Sequence, residues 1–380
     1  MEGPRGVRHK EWNEVLRLVN LAFRTMGGRP PTMAEEYPLL FDEANLENLR
    51  IMVEHGQPVS HIGMLQRDLS IYGCTIRVGS VGSVCTHPEY RMQGYAGRML
   101  DDCIHKLERD GADIMLVSGN RTLYQRAGCA PVGLVYHVNI RDGDRDRLRA
   151  EGIEVCSEAD LRDVIRLHQG ESVRFIRPYD DVEKLLSVTG DLPSLGWEQT
   201  LLIIQWYEHP MAYVVVRSTE KEGHRTGRIV EYAGSREVLI RSLGVLLDRY
   251  GVKQLRISIP FYDRALIHGL ESRGFGYEVG TMGGHTLRVI HFERLMERMR
   301  SYMEERLGRK AAARLVFFER GGRFIFRWGD EERRVGDRLT LTRMLFGASG
   351  GETRGHIKGL QAVLREILPL PLPLPGLNYV

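Results

Sequence analysis

Val84-Cys85-Thr86-His87-Pro88-Glu89-Tyr90-Arg91-Met92-Gln93-Gly94-Tyr95-Ala96-Gly97-Arg98-Met99-Leu100 decides how this chain folds, because it carries a strand into a helix through a loop of phosphate size. Val78 to Cys85 is rich in Val, Gly and Ser, as in a strand that is partly buried and closely approached by another backbone. Met99, Leu100, Cys103, Ile104 and Leu107 recur at helical spacing, which predicts a helix from about Gly94 to Asp110. Between strand and helix, Arg91, Gly94 and Ala96 follow the pattern Arg-x-x-Gly-x-Ala. Small residues therefore stand where the first N–H groups of the helix and its positive dipole end face an anion. A diphosphate fits there; read in isolation, so does an ordinary helix entry with small residues for close packing.

A second segment follows. The apolar run Ile114-Met115-Leu116-Val117 predicts a strand, Ser118-Gly119-Asn120 a turn, and Leu123-Tyr124-Gln125-Arg126-Ala127-Gly128-Cys129 a short helical stretch. The pair of segments resembles the GNAT N-acetyltransferase superfamily. Its acetyl-CoA loop reads Arg or Gln, two residues, Gly, one residue, then Gly or Ala, and its later segment reads Tyr, three residues, Gly and usually Phe. Cys129 stands where that aromatic is common.

The resemblance implies acetyl-CoA as co-substrate, with no metal. It would be held by the backbone of Val84, Cys85 and Thr86, by the loop Arg91, Met92, Gln93, Gly94, Tyr95, Ala96 and Gly97, and by Gly119 and Asn120. In the family the strand backbone splays from its neighbour, and pantetheine amides pair with it like a further strand. Asn120 reads equally well as the N-cap of a helix over Arg121 to Ala127. Tyr124 takes the place of the general acid: the thiolate leaving an acetyl thioester needs a proton, and a phenol within reach supplies one. The alternative is a half-buried Tyr satisfying a backbone carbonyl. His87, just past the strand, is a candidate base or simply a loop residue ahead of Pro88.

Charge is nearly balanced, 53 basic against 50 acidic side chains, so nothing calls for a nucleic-acid or membrane partner. Cys74, Cys85, Cys103, Cys129 and Cys156 form an odd, scattered set without a Cys-x-x-Cys pair, which argues against a disulfide framework or a structural zinc site. No run approaches the length of a membrane helix and the first residues lack an apolar signal core, so a cytoplasmic protein is expected.

The expected fold class is α/β (α+β), with two GNAT-like mixed-sheet domains in tandem and a smaller α+β domain. Residues 1–140 are expected to form the catalytic, acetyl-CoA-binding domain: a first helix with Trp12, Val15, Leu16, Val19, Ala22 and Phe23 on one face, a hairpin around Gly56-Gln57-Pro58, a strand over Ile71 to Arg77, and Val132 to Ile140 closing the sheet. Residues 141–290 repeat the pattern without its working parts, since Tyr232-Ala233-Gly234-Ser235-Arg236-Glu237 lacks the Arg-x-x-Gly-x-Ala spacing and no Tyr matches Tyr124. Residues 291–380 change character. A helix over His291 to Leu307 carries a Leu and Met face that reads as plain core, a hairpin turns at Gly321-Gly322, Asp330 to Arg338 is charged, and helices follow over Leu341 to Phe346 and His356 to Leu368.

Two such units and this tail resemble the Eis (enhanced intracellular survival) family, whose C-terminal domain is sterol-carrier-protein-like; Thr340 to Gly347 matches that family's tail. The chain ends Pro369-Leu370-Pro371-Leu372-Pro373-Leu374-Pro375-Gly376-Leu377-Asn378-Tyr379-Val380, which reads as an extended strut or a frayed tail. The resemblance implies that the Val380 carboxylate returns to the N-terminal site and helps deprotonate the acceptor, although Val stands where relatives often have Phe. It further implies an acetyl-CoA-dependent N-acetyltransferase acting directly on a primary amine of a small molecule or peptide, and a homo-oligomer. The rival readings are a protein lysine acetyltransferase and a non-enzymatic acyl-CoA- or lipid-binding protein.

Overall fold

The computed structural model describes residues 1–148, 150–156, 160–188, 190–192, 196–221, 223–347 and 358–380. They gather into two compact units. The first contains residues 1–134, 281–372 and Val380; the second contains residues 135–280 and 373–379.

In the first unit the chain runs through β1 (Glu2–Gly6), α1 (Trp12–Phe23), α2 (Met33–Glu36), β2 (Leu49–Glu54), β3 (Gln57–Ile71), β4 (Cys74–Thr86), α3 (Tyr95–Arg109), β5 (Ile114–Ser118) and α4 (Thr122–Arg126). Neighbouring strands pair antiparallel from β1 to β4, while β4 and β5 are parallel with α3 as their crossover. The apolar spacing that predicts α3 is the spacing it buries: Met99, Leu100, Cys103 and Leu107 are shut into one core cluster with Val81, Val84 and Tyr124. Each such side chain contributes about 1.5–3 kcal/mol. The strand expected over Ile71 to Arg77 is interrupted by a tight turn at Tyr72 and Gly73, with Ile71 ending β3 and Cys74 to Arg77 opening β4. Tyr72 and Gly73 there take φ of 46° and 83°, the left-handed pair that a two-residue hairpin requires.

One sequence-based expectation is overturned. Val132 to Ile140 does not close the first sheet, because β6 (Val135–Arg141) belongs to the second unit's sheet. The strand His285–Val289 pairs antiparallel with β5 instead, from His285↔Ser118 to Val289↔Ile114. Alternating side chains announce a strand without naming the sheet it joins, and both segments alternate.

The tail segment packs within the first unit. Phe292 is ringed by Phe317, Phe324 and Phe326, with ring centroids 5.1–6.1 Å away. Asp113 is wholly buried; it accepts from Arg294, Arg298 and the Arg77 N–H, its charge being matched by two guanidinium groups. The helix expected over His291 to Leu307 breaks at Met299 into Phe292–Arg298 and Arg300–Leu307, while Met296, Met299 and Met303 are core as expected. The charged stretch 330–338 holds a third strand, Glu331–Val335, with polar residues exposed along most of its length. The final helix is Gly359–Ile367; the expected start at His356 lies outside the described residues.

The second unit repeats the crossover. Its sheet places, in order, Glu278–Gly280, β6, Gln254–Pro260, His224–Gly234, His209–Lys221, Trp197–Trp206 and Ile153–Cys156. The helix Arg236–Tyr250 links the parallel pair His224–Gly234 and Gln254–Pro260, as α3 links β4 and β5. Fold class and tandem arrangement are therefore as the sequence implies.

Candidate active site

The site begins where β4 leaves β5. Their parallel ladder runs from Val78↔Ile114 to Val81↔Val117 and stops, although β4 continues to Thr86. On its other edge β4 stays paired to β3, through a bulge at which Ser83 takes φ of 54°. Gly82 to Thr86 thus keep one open edge, the splayed backbone expected at Val84, Cys85 and Thr86.

The chain's own end lies in this gap. The Val380 side chain is buried, and its terminal carboxyl oxygen accepts a hydrogen bond from Ser118 Oγ at the end of β5. It presses on Gly82, where an added Cβ would come within 2.5 Å of the Val380 carboxyl carbon and 2.6 Å of its oxygen. Only glycine leaves that room. Gly82 and Ser118 belong to the site and were not singled out from sequence; glycine inside a strand was the available signal.

Arg91 to Gly94 is exposed, and its backbone is built like an anion nest: Met92 has φ of 63° and Gly94, the residue before α3, has φ of 78°. The first N–H of α3 to find a protein acceptor is that of Arg98, on the Gly94 carbonyl. An added Cβ at Gly94 or Gly97 would meet nothing within 4 Å, so the space above the helix entrance is open. Tyr95, expected in the loop, is buried as the first residue of α3 and donates from its hydroxyl to Glu54 at 2.7 Å, leaving its N–H as its contribution to the nest. Arg91 donates to the Thr86 carbonyl at 3.3 Å, tying loop to strand. Gln93 and Ala96 complete the loop, and the whole arrangement fits a diphosphate.

Tyr124, on α4, is 2% exposed and packs in the cluster that includes Val84 and Met99. Burial raises its phenol above the ordinary value, with the Arg121 charge acting in the opposite direction, so it holds its proton at neutral pH. Its hydroxyl makes no hydrogen bond to any of the described residues. Gly119, at φ of 151°, lies so close that a Cβ would sit 2.9 Å from the Tyr124 ring; its carbonyl accepts from Thr286 at 2.9 Å. Asn120 is exposed and accepts from the Gln125 side chain at 3.0 Å, while Arg121 holds the N-cap position of α4. The N-cap reading of Asn120 is therefore not what the structure shows.

Three further polar groups lie on β3 and on the same stretch of β4. His61, on β3, is fully buried; desolvation lowers its pKa to about 4, against a hydrogen bond to the Ser83 carbonyl that favours charge. It is neutral at pH 7, with Nδ1–H donating to that carbonyl at 2.8 Å and Nε2 lacking any partner among the described residues. Ser83 Oγ is buried and also lacks one. Cys85 is buried, its thiol pushed up to about 12 by desolvation, hence unreactive. His87 lies beyond the strand. Its ring sits 5.8 Å from that of Tyr90, and it lines a cleft of about 820 Å³ with Glu14, Arg17, Asn20 and Gln57.

In the second unit the equivalent helix entrance is filled. Glu171 accepts from the Gly234 N–H at 2.8 Å and from both terminal nitrogens of Arg236, and Ser235 caps the helix through the Val238 N–H. A protein carboxylate thus sits beside that entrance, bound to Gly234 and Arg236.

Residues 4–132 match the family model described as an acetyltransferase (GNAT) domain. With that domain the chain is an acetyltransferase enzyme, and acyl-CoA is the donor such domains use. The fold is similar to that of a GCN5-related N-acetyltransferase from Anabaena variabilis, at 12% identity over 96% of each chain with a TM-score of 0.64. A probable N-acyltransferase from Enterococcus faecalis is similar at 15% identity over 90% of this chain and 88% of that one, TM-score 0.62. Eis1 from Mycobacterium abscessus is similar at 15% over 92% and 90%, TM-score 0.58. No curated protein matches the chain by sequence. No helix among the described residues is long and apolar enough to cross a membrane.

Proposed function

We propose that this protein is an Eis-type N-acetyltransferase that moves the acetyl group of acetyl-CoA directly to a primary amine. The observation that carries the reading is the Val380 carboxylate against Gly82 and Ser118, in the gap beside β4, in the same unit as a buried phenol with no hydrogen-bond partner among the described residues. An alkyl amine with pKa near 10.4 is almost all ammonium at pH 7, roughly one molecule in a few thousand being neutral, so a base is needed. Val380 takes that proton, directly or through water. Acetyl-CoA supplies the activated acyl group, and Tyr124 Oη gives a proton to the departing sulfur. Val84, Cys85 and Thr86 offer the open strand edge. Arg91, Met92, Gln93, Gly94, Tyr95, Ala96 and Gly97 offer the N–H nest, and Gly119 and Asn120 border it.

The cleft lined by Glu14, Asn20 and His87, at about 820 Å³, has the size of a small-molecule site and is taken as the place of the acceptor amine. The three-part division expected at residues 140 and 290 is kept in the proposal with its boundaries moved to about 134 and 280, where β6 and His285–Val289 put them, the middle part being a copy without a cofactor loop. The tail is taken as sterol-carrier-like, and the protein as a cytoplasmic homo-oligomer without metal.

The test is thiol release from acetyl-CoA with a panel of polyamines, aminoglycosides and lysine peptides. Turnover with a primary amine supports the reading. Acetyl-CoA binding without thiol release from any of them would leave a binding protein.

A further inference from the structure

The bulge in β4 is braced from within the first unit by His61, a residue to which the reaction proposed above gives no part. Between the pairs His61↔Cys85 and Gly63↔Gly82 a single residue of β3, Ile62, faces two of β4, Ser83 and Val84. Ser83 adopts φ of 54° there, a left-handed backbone that costs free energy unless its surroundings hold it. The His61 Nδ1–H supplies a hold, donating to the Ser83 carbonyl at 2.8 Å, and the Phe41 ring stacks on the imidazole with centroids 6.1 Å apart. Packing alone does not explain a histidine in this place. Its Nε2 is buried without a partner among the described residues, a cost that an apolar side chain of similar volume would not carry.

The bulge sets which way β4 faces. The Ser83 and Cys85 carbonyls accept from the His61 and Ser60 side chains of β3, and the His87 N–H donates to the Val59 carbonyl at 2.8 Å. Backbone groups of successive residues in an extended strand point to opposite edges, so Val84 and Thr86 turn theirs to the open edge. The Thr86 carbonyl accordingly meets Arg91 of the loop. The ladder to β5 stops at Val81↔Val117, just before Ser83, so splay and bulge fall together.

We infer that His61 is a positioning residue for the acyl donor: by holding the Ser83 carbonyl it locks the bulge that presents Val84 to the pantetheine arm. The inference rests on the proposed pairing of that arm with the open edge. Without the latch Ser83 is free to return to ordinary extended backbone, and a slip of one residue in register turns the Val84 groups away from that edge. The diphosphate nest, built on Met92 and Gly94, is not part of the bulge and keeps its shape.

The test is calorimetric titration of the full chain with acetyl-CoA and with 3′-phospho-ADP, which is coenzyme A without its pantetheine arm. His61→Leu and the smaller, strand-favouring His61→Val both remove the donor, so either one that folds decides the question. Each is expected to bind acetyl-CoA at least tenfold more weakly and 3′-phospho-ADP within twofold of the unmodified chain. His61→Asn, whose amide N–H stands in for Nδ1–H, should restore most of the acetyl-CoA affinity. With any active amine, KM for acetyl-CoA should rise at least tenfold in the Leu and Val variants while KM for the amine stays within twofold.

Unchanged acetyl-CoA affinity without the donor, an equal loss for both ligands, or an Asn variant as weak as the Leu variant would overturn the inference. An unmodified chain that binds acetyl-CoA no more tightly than 3′-phospho-ADP would instead show that the open edge takes no pantetheine arm, and the proposed pairing, with everything resting on it, would be what fails.

Discussion

At Tyr124 the sequence pattern names a residue, and the structure buries its phenol. Its phenol is raised above the ordinary value by burial and has no acceptor for its hydrogen among the described residues, which is the state the proposed proton donor needs. Tyr124→Phe deletes one oxygen and keeps the ring that Gly119 packs against, so turnover is expected to fall at least tenfold while acetyl-CoA affinity, measured by calorimetry, stays within twofold. Unchanged turnover would take Tyr124 out of the reaction.

His61 makes a second prediction at the same scale. Its folded pKa of about 4 lies below the ordinary value near 6.5, so as pH falls the unfolded chain takes up the proton first. The stability tied to a neutral His61 is whole above about pH 6.5 and is lost as pH falls to about 4, at about 1.4 kcal/mol per pH unit. His168 is lowered to about 4 by burial as well, so the comparison needs a variant. His61→Gln keeps a donor for Ser83 and cannot titrate; its urea midpoint should fall less steeply between pH 6.5 and 4. Parallel curves would show that His61 does not titrate in that window.

Among elements, the strand-loop-helix β4 to α3 carries the cofactor argument, and magnitudes rank its parts. Backbone N–H bonds to a charged acceptor contribute about 1.5–3 kcal/mol each, the helix dipole about 0.3–2. The shape of the nest should therefore matter more than the Arg91 charge. Gly94→Val forces a β-branched residue into φ of 78° and is expected to weaken acetyl-CoA binding by tenfold or more, against a few-fold for Arg91→Met. Equal losses in calorimetric titrations would mean that charge governs the grip.

Local order was legible at this scale because it is encoded locally. Apolar spacing fixed α1 and α3, and Gly321-Gly322 fixed a turn. Long-range choices were not legible. The exchange of β6 for His285–Val289 at the edge of the first sheet depends on which partner is free, which alternation does not record. The strand Glu331–Val335 was hidden because its exposed charges look like a loop. In the candidate site, the loop was named through its motif and Val380 through the family resemblance, whereas Gly82 and Ser118 stand out only once the chain's end lies against β4.

For the whole molecule, the C-terminal strut is the feature with reach. The Leu370 N–H donates to Leu345 at 2.7 Å, and residues 370–373 are buried, so the run is no frayed end. Repeated proline suits the task, since a chain already stiff loses little entropy on being placed. Deleting Tyr379 and Val380 removes the carboxylate and leaves the buried residues 370–373 in place. Activity is expected to drop at least tenfold, and because the lost Val380 side chain is buried and contributes about 1.5–3 kcal/mol, the melting midpoint is expected to fall by only a few degrees. A large fall in melting temperature would make the end a structural plug.

The most direct check on acetyl transfer is a single assay: free thiol formed from acetyl-CoA over the amine panel, for the unmodified chain and for Tyr124→Phe side by side. Steady thiol production with at least one primary amine, none with its tertiary analogue, and at least tenfold less with Tyr124→Phe is expected. Thiol formation independent of amine, or none while calorimetry still records acetyl-CoA binding, would refute direct transfer to an amine.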